Sequence, residues 1–410
     1  MKARVVVPFL VLMISIPLEA QRRPSNPPPQ PPPQQQPQPP QPPQQAVFGD
    51  PLRGLSSTEL ASFNDGRSEF VKVETVTDGL GPVFNGRSCG ECHNAGGAGG
   101  GSPRLVTRFG TTTNGVFDAL AQLGGSLIQN QAIGPRDGSA HAFRPEQVPP
   151  QATIVTRRRS TPLFGLGLVD ATPDSVFIDL AAQQAGRRDG IVGHVSMVDN
   201  ISAGMKTVGK FGWKGQNPTL FQFAGDAYLN ELGITNAQFP NENCPQGNCA
   251  ELAFNPAPGL NDTTDTQALA DFMTFLAPPS RGTVSADATA GEAVFNRIGC
   301  DSCHVATLRS GGSSTAGLNR VSYHPYSDFL LHDMGSLGDG IVQGSATASE
   351  IRTAPLWGLR VITRLLHDGR AGTIEEAITA HDGQGRASRD RFNQLNATDR
   401  ARLLAFLRSL

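Results

Sequence analysis

Two pentapeptides dominate what this chain can become: Cys89-Gly90-Glu91-Cys92-His93 and Cys300-Asp301-Ser302-Cys303-His304. On a helical turn the first Cys, the second Cys and the His stand at i, i+3 and i+4, on one face. Two thiols and an imidazole so placed can bond the vinyl groups of one haem and offer its iron a proximal nitrogen. The other chemistries of Cys-x-x-Cys fit poorly. A zinc site pairs such units about 15–20 residues apart, whereas these are about 200 apart. A thioredoxin-like motif needs a βαβ context that is missing. The sequence therefore predicts two covalently attached haem c groups, on Cys89, Cys92 and His93 and on Cys300, Cys303 and His304.

The rest of the composition is consistent with an exported protein built around bulky groups. Glycine is abundant, at 46 residues, and the net charge of −2 lacks the basic excess of a nucleic-acid binder. Lys2 and Arg4 precede an apolar run from Val5 to Leu18, too short for a membrane span. Residues 1–20 read as a signal peptide, and no later stretch reaches spanning length, so a periplasmic or secreted location is expected. Residues 21–46 are a Pro/Gln-rich linker of polyproline II character. The two remaining cysteines, Cys244 and Cys249, flank Pro245 and Gly247, and in an oxidising compartment they are expected to pair.

The folded part has the marks of a repeat. Val83-Phe84-Asn85 echoes Val294-Phe295-Asn296, and Arg159-Ser160-Thr161-Pro162-Leu163-Phe164-Gly165-Leu166 echoes Arg352-Thr353-Ala354-Pro355-Leu356-Trp357-Gly358-Leu359. An amphipathic helix with Leu269, Phe272, Met273 and Leu276 closes the first half, with Thr264 and Gln267 as its capping box. Leu403, Leu404, Leu407 and Leu410 close the second. Strand signal is weak. The expectation is a mainly α fold of tandem class I cytochrome c-like domains with long loops and little β, over 47–280 and 281–410.

A family resemblance follows from these motifs together with Gly81-Pro82-Val83-Phe84-Asn85-Gly86-Arg87-Ser88-Cys89, Phe211-Gly212-Trp213-Lys214, His332-Asp333-Met334-Gly335 and Leu366-His367-Asp368-Gly369-Arg370. From about 48 to 410 the chain resembles the dihaem oxidoreductases, putative peroxidases also labelled thiol oxidoreductases, which are related to bacterial dihaem cytochrome c peroxidases. The resemblance implies a tryptophan between the haems, at Trp213, and a distal Gln and Glu, at Gln222 and Glu231. Calcium between the halves is a further implication, weakened because Ser160 replaces the family's Asn. Roles for His332 and His367 do not follow.

The distal ligands can be argued from the residues. A Thr-x-x-Glu capping box opens Thr373–His381, and Ile374, Ala377, Ile378 and His381 share one face. His381 is thus the expected second ligand of the second haem, with Met334 its rival. For the first haem the resemblance implies a distal His several residues before an Arg-x-x-Pro motif, but Val148 to Thr156, ahead of Arg159-Ser160-Thr161-Pro162, contains none and His141 and His194 fit badly, so an open iron is expected. Glu231 shares a face with Leu220, Ala224 and Ala227, where burial would raise its pKa and suit it to moving protons. In Arg157-Arg158-Arg159, usually a solvated pattern, Arg159 is the candidate partner of a haem propionate. The glycines from Gly96 to Gly101 read as a loop beside the first haem. The function expected is peroxide reduction at an open first haem, with Glu231, Gln222 and Trp213 as catalytic residues. Electrons would come through the second haem from a small redox protein or other donor, and the oxidant would be peroxide or another small molecule. The alternatives are a non-catalytic electron carrier and an oxidase of an organic or protein substrate.

Overall fold

Two crossed helix pairs organise the chain. Ser57–Val71 packs on Asp265–Phe275, and Ala286–Arg297 packs on Ala397–Leu407. Each starts with a polar cap that satisfies its first backbone N–H groups: Ser56 with Glu59 in a capping box, Ser285, and Asn396. The fourth, Asp265–Phe275, has Thr264 at its N-cap, whose side chain accepts no capping bond. The expected Thr264–Gln267 box is replaced by Asp262, which accepts from the N–H groups of Thr264, Asp265 and Thr266. Both pairs cross at a glycine. A Cβ on Gly66 would stand 2.1 Å from the Ala268 carbonyl oxygen, and one on Gly291 would stand 1.9 Å from that of Arg402. Four residues on, Phe70 and Phe295 meet Phe272 and Phe406.

The computed structural model describes residues 47–410 except Thr263. The signal-peptide and linker readings, 1–20 and 21–46, lie outside the described residues. All of 47–410 belongs to one compact unit. Among the described residues no helix is long and apolar enough to cross a membrane.

The mainly α expectation is corrected. The architecture is mixed, 36% helical and 15% strand, and tandem cytochrome c domains are not what it shows. A three-stranded antiparallel sheet places Leu105–Thr113 between Val116–Asp118 and Ile154–Arg159. Ser196–Asn200 and Met205–Gly209 form a hairpin, and three further two-stranded pairs complete the β content. These strands were hard to see because Leu105–Thr113 and Ile154–Arg159 hold their place with Thr, Val and Arg rather than clean apolar alternation. The echo at Val83-Phe84-Asn85 is also not structural. Val83–Phe84 is a strand paired with Gln131–Ala132, whereas Val294, Phe295 and Asn296 lie inside a helix.

Apolar burial falls into one large cluster and two smaller ones. The largest spans Leu52 to Ala277 and reaches into the second half through Leu308, Leu318, Tyr323, Phe329, Leu330 and Trp357. A second gathers Val294, Phe295, Phe392, Leu403, Phe406 and Leu407. Cys244 and Cys249 form a disulfide.

Candidate functional site

Two cavities lie beside the two Cys-x-x-Cys-His turns. The first, about 1050 Å³ counted out to its open mouth, is lined by Cys89, Cys92 and His93, and also by Arg108, Arg158, Ala224, Ala227 and Glu231. The second, about 1370 Å³, is lined by Cys300, Cys303 and His304, and also by Met334, Ile378, His381 and Gly385. Arg159 and Trp213 line both. Each motif forms a 3-10 turn, in which the His N–H bonds the first Cys carbonyl.

The histidines are set for metal through one nitrogen. His93 Nδ1 bonds the Gly100 carbonyl at 3.2 Å, His304 Nδ1 that of Tyr326 at 2.8 Å, and His381 Nδ1 that of Ala377 at 2.8 Å. Donation from Nδ1 leaves Nε2 with the lone pair a metal needs. Burial pulls His93 and His304 down to about 4 and lowers His381, so all three are neutral. His304 and His381 line the second cavity together, and Met334 also reaches this wall. A Cβ on Gly385 would lie 3.2 Å from His381 Cδ2 and 3.4 Å from Met334 Cε.

Buried cationic atoms provide a second test of fit. Arg158 Nη2 and Arg108 Nε are buried without a hydrogen-bond partner, on two residues that line the first cavity. Unpaired guanidinium N–H groups are costly unless an anion meets them. Haem propionates are such anions, so the first cavity fits a haem. Sequence reasoning missed Arg108, which carries no motif, and it read Arg158 as solvated. Arg158 is buried, and its Nε donates to Asp339 Oδ2 at 2.7 Å. Lys214 Nζ, fully buried, meets the other oxygen of Asp339 at 3.0 Å.

A near-twofold brace joins the cavities. The Arg159 N–H bonds the His367 carbonyl and its Nε donates to the Leu366 carbonyl. The Arg352 N–H bonds the Trp213 carbonyl and its Nε donates to the Gly212 carbonyl. Trp213 and His367 meet edge to face at 6.1 Å, and Trp213 Nε1 donates to the Arg159 carbonyl. His367 thus occupies in one half the place of Trp213 in the other. Its Nε2 is buried without a partner.

The same correspondence extends along the chain. Phe211 bridges Asn217, and Leu365 bridges Ala371. Gly212 and Leu366 both have positive φ, as do Gly215 and Gly369. Thr219 caps Leu220–Leu232 and Thr373 caps Ile374–Thr379, each six positions after Trp213 or His367. The helix after Trp213 thus starts under Thr219, two residues past Asn217. Counting from the caps, Phe223, Ala224, Ala227 and Glu231 match Ala377, Ile378, His381 and Gly385, and all eight line their cavities. Where the second cavity has His381, the first has Ala227. Where the second has Gly385, the first has Glu231.

Glu231 accepts from Asn85 Nδ2 through Oε2 at 2.9 Å. Burial pushes its carboxyl above the ordinary range, against the pull of Arg108 and Asn85. Gln222 lies elsewhere. Its amide bonds Ile201 N–H and the Asp199 carbonyl in the Ser196–Gly209 hairpin, and the amide lining the first cavity is that of Gln216. His141 pairs with Glu251 and His194 with Glu350, and neither lines the first cavity. Met273 does line it, but the helix pairing matches Met273 to Leu407, on the helix that packs against the Phe beside the proximal His. Calcium between the halves is not shown. The small cavity there is lined by Arg159 and Arg352 and holds no carboxylate, whereas calcium takes six to eight oxygen ligands, carboxylates prominent among them.

No curated protein matches this chain. Among solved structures it is similar to the diheme peroxidase BthA from Burkholderia thailandensis E264 (15% identity, 89% of this chain and 92% of that one, TM-score 0.39). It is also similar to a MauG-like protein associated with microbial copper homeostasis (16%, 88% and 93%, TM-score 0.37). A third likeness, to Kuenenia stuttgartiensis hydrazine synthase (16% identity, TM-score 0.27), covers 42% of this chain and 65% of that chain. TM-scores this low say nothing more about this chain. The family model described as "Di-haem oxidoreductase, putative peroxidase" matches residues 144–410, nearly two thirds of the sequence, and the chain belongs to that family.

Proposed function

We propose that this dihaem oxidoreductase reduces peroxide at its first haem with electrons relayed through its second. Both haems are held as thioethers, on Cys89 and Cys92 and on Cys300 and Cys303, in an exported protein fed by a small redox partner. The observation that carries the reading is the pair of replacements on matched positions, Ala227 for His381 and Glu231 for Gly385. An alanine cannot ligate iron and leaves room for a small oxidant. An added carboxyl group beside that room is what proton transfer requires.

When bound, the haems supply the iron chemistry that splits an O–O bond and passes electrons. The chain supplies the rest. His93 would hold the first iron through its free Nε2. Asn85 occupies Glu231 Oε2, and among the described residues nothing bonds Oε1, which is the oxygen placed to take a proton from peroxide and return it to the departing oxygen. Arg108, Arg158 and Arg159 neutralise propionates. His304 and His381, which line one cavity, would be the residues to hold the second iron, and two imidazoles would suit that haem to low-potential electron transfer. Trp213, in the wall of both cavities, shortens the route between them. Gln222 keeps only a bracing contact.

The experiment is the spectrum of the oxidised holoprotein followed by mixing the reduced protein with hydrogen peroxide. One high-spin and one low-spin haem, with rapid oxidation, is the expected result. Two low-spin haems that ignore peroxide would make the protein an electron carrier.

A further inference from the structure

Beside the first cavity is a buried phenol for which the mechanism above has no use. Tyr228 follows Ala227 on the same helix and stands one turn beyond Ala224, two residues of the cavity wall. It is 2% exposed. Its hydroxyl donates to Glu74 Oε1 at 2.9 Å and lies 3.3 Å from Glu69 Oε1. Lys72 Nζ pairs with both carboxylates, at 3.1 and 3.2 Å, and is partly exposed. The cluster borders the haem edge: Glu69 precedes the cavity-lining Phe70, and the charges of Glu74 and Glu69 help push the Cys89 thiol up.

The chain has only three tyrosines. Tyr323 bonds the hydroxyl of Thr172, an ordinary brace. Tyr326 donates to Glu292, and its carbonyl accepts from His304 Nδ1, beside the second cavity, whose wall carries His381. Tyr228 alone combines a strong proton acceptor with the cavity whose wall lacks a distal ligand. A phenol loses an electron readily only if its proton leaves in the same event, and a hydrogen-bonded carboxylate provides the destination. Burial and the shared proton with Glu69 push Glu74 up to about 7, against the pull of Lys72 and Tyr228, so its affinity for a proton is well above that of an exposed carboxylate.

We propose that Tyr228 is a redox-active residue that gives an electron to the first haem and its proton to Glu74 when peroxide arrives and no reduced donor is at hand. The inference rests on peroxide being the oxidant. Hydrogen peroxide takes two electrons, together with two protons from solvent by way of Glu231, and leaves as two waters. One electron comes from the phenol and the other from the haem. The phenol O–H bond breaks, its proton forms the O–H of the Glu74 carboxylic acid, and a neutral tyrosyl radical remains. The radical is reduced when donor electrons return. Lys72, paired with both carboxylates and partly exposed, carries the cluster to the solvent edge; the proton stays on Glu74 until the radical is reduced and takes it back.

The test is electron paramagnetic resonance of the oxidised holoprotein, frozen after mixing with hydrogen peroxide without donor. A tyrosyl signal is expected, narrowed when the protein is made with ring-deuterated tyrosine and lost in Tyr228→Phe. Glu74→Gln keeps an acceptor oxygen but not the base, and slows the signal's appearance about a hundredfold. It decides the question alone if Tyr228→Phe does not retain its haems. A signal that survives Tyr228→Phe, or forms at the parent rate in Glu74→Gln, overturns the proposal. So does a parent whose haem bands respond to peroxide without any tyrosyl signal. A parent whose haem bands do not respond at all overturns the peroxidase reading and this inference with it.

Discussion

At the distal wall of the first cavity stands Ala227, and at the matching step of the second stands His381. The backbones agree as far as the end of the shorter helix: Ala227 and Glu231 lie within Leu220–Leu232, whereas His381 and Gly385 lie past Ile374–Thr379. Both segments leave an inter-cavity brace, turn through a positive-φ residue, enter a helix under a threonine cap and pass four matched positions along a wall. On the proposed reading, the choice of a single side chain on matched positions would close one iron and leave the other open, and a second choice, Glu231 or Gly385, would add acid–base chemistry. Most of what would distinguish the halves functionally, on that reading, lies in side chains carried on a shared entry into the wall.

The most severe way to break this comparison is to make the first half like the second. Ala227→His places an imidazole where His381 sits in the other cavity. The first haem should become low-spin, and peroxide oxidation of the reduced protein should be lost. If the high-spin signal persists, the correspondence of the two walls is not functional. The reverse change, His381→Ala, should turn the second haem high-spin and raise its reduction potential, because a strong donor to ferric iron is removed.

Next in size is Glu231→Gln. The amide is nearly isosteric and can keep contact with Asn85, but it cannot move a proton. Peroxide oxidation should slow by about 10²–10⁴-fold with both haems retained. The pH profile carries its own sign. A carboxyl raised by burial is protonated at low pH and cannot act as the base, so the parent's rate should climb as pH rises through a midpoint above the ordinary carboxylate value. In Glu231→Gln that rise should flatten.

How far these features could be read from the chain alone depends on where their signal lies. The haem-bearing turns are local patterns of scarce residues, so Cys89 to His93 and Cys300 to His304 stand out at once. His381 shows itself by helical phase, since Ile374, Ala377 and Ile378 fix the face it shares. Gln222 and Glu231 lie nine positions apart, and only Glu231 is in phase with Ala227; Gln222 turns instead to the Ser196–Gly209 hairpin, a contact no local pattern encodes. Arg108 is legible only through pairing of Leu105–Thr113 with Ile154–Arg159, a long-range register. The mixed fold escaped for the same reason: its strands are short and polar, and tertiary pairing makes them. The matching of 211–231 with 365–385 needs the backbone, because their side chains share almost nothing.

The crossing glycines test the part of the comparison in which the halves agree. Gly66→Ala and Gly291→Ala each drive a methyl into a carbonyl of the partner helix. Each should cost about 1–3 kcal/mol by forcing the helices apart. Chemical denaturation of the holoprotein measures this. A cost at one site and none at the other would show that the two helix pairs are not equivalent supports.

The smallest effect discriminates most finely. Thr219 and Thr373 cap the matched wall helices, each accepting from the backbone N–H three residues on. Thr373 has help: Glu376 reaches back to the N–H groups of Gly372 and Thr373. Thr219 has none, because the residue at that position is Gln222, whose amide is engaged elsewhere. Thr→Ala at either cap should lower stability by about 1 kcal/mol, somewhat less at Thr373. The spectra should then part company. The Ile374–Thr379 helix is only six residues long and its end positions His381, so loosening it should produce a temperature-dependent high-spin fraction at the second haem. The Leu220–Leu232 helix carries Ala227, which has no bond to iron to lose, so Thr219→Ala should leave the spin state of the first haem unchanged while its peroxide reaction slows as Glu231 drifts. A spin change in Thr219→Ala would mean that something in this wall does ligate the first iron, and the two halves would be far more alike than their side chains suggest.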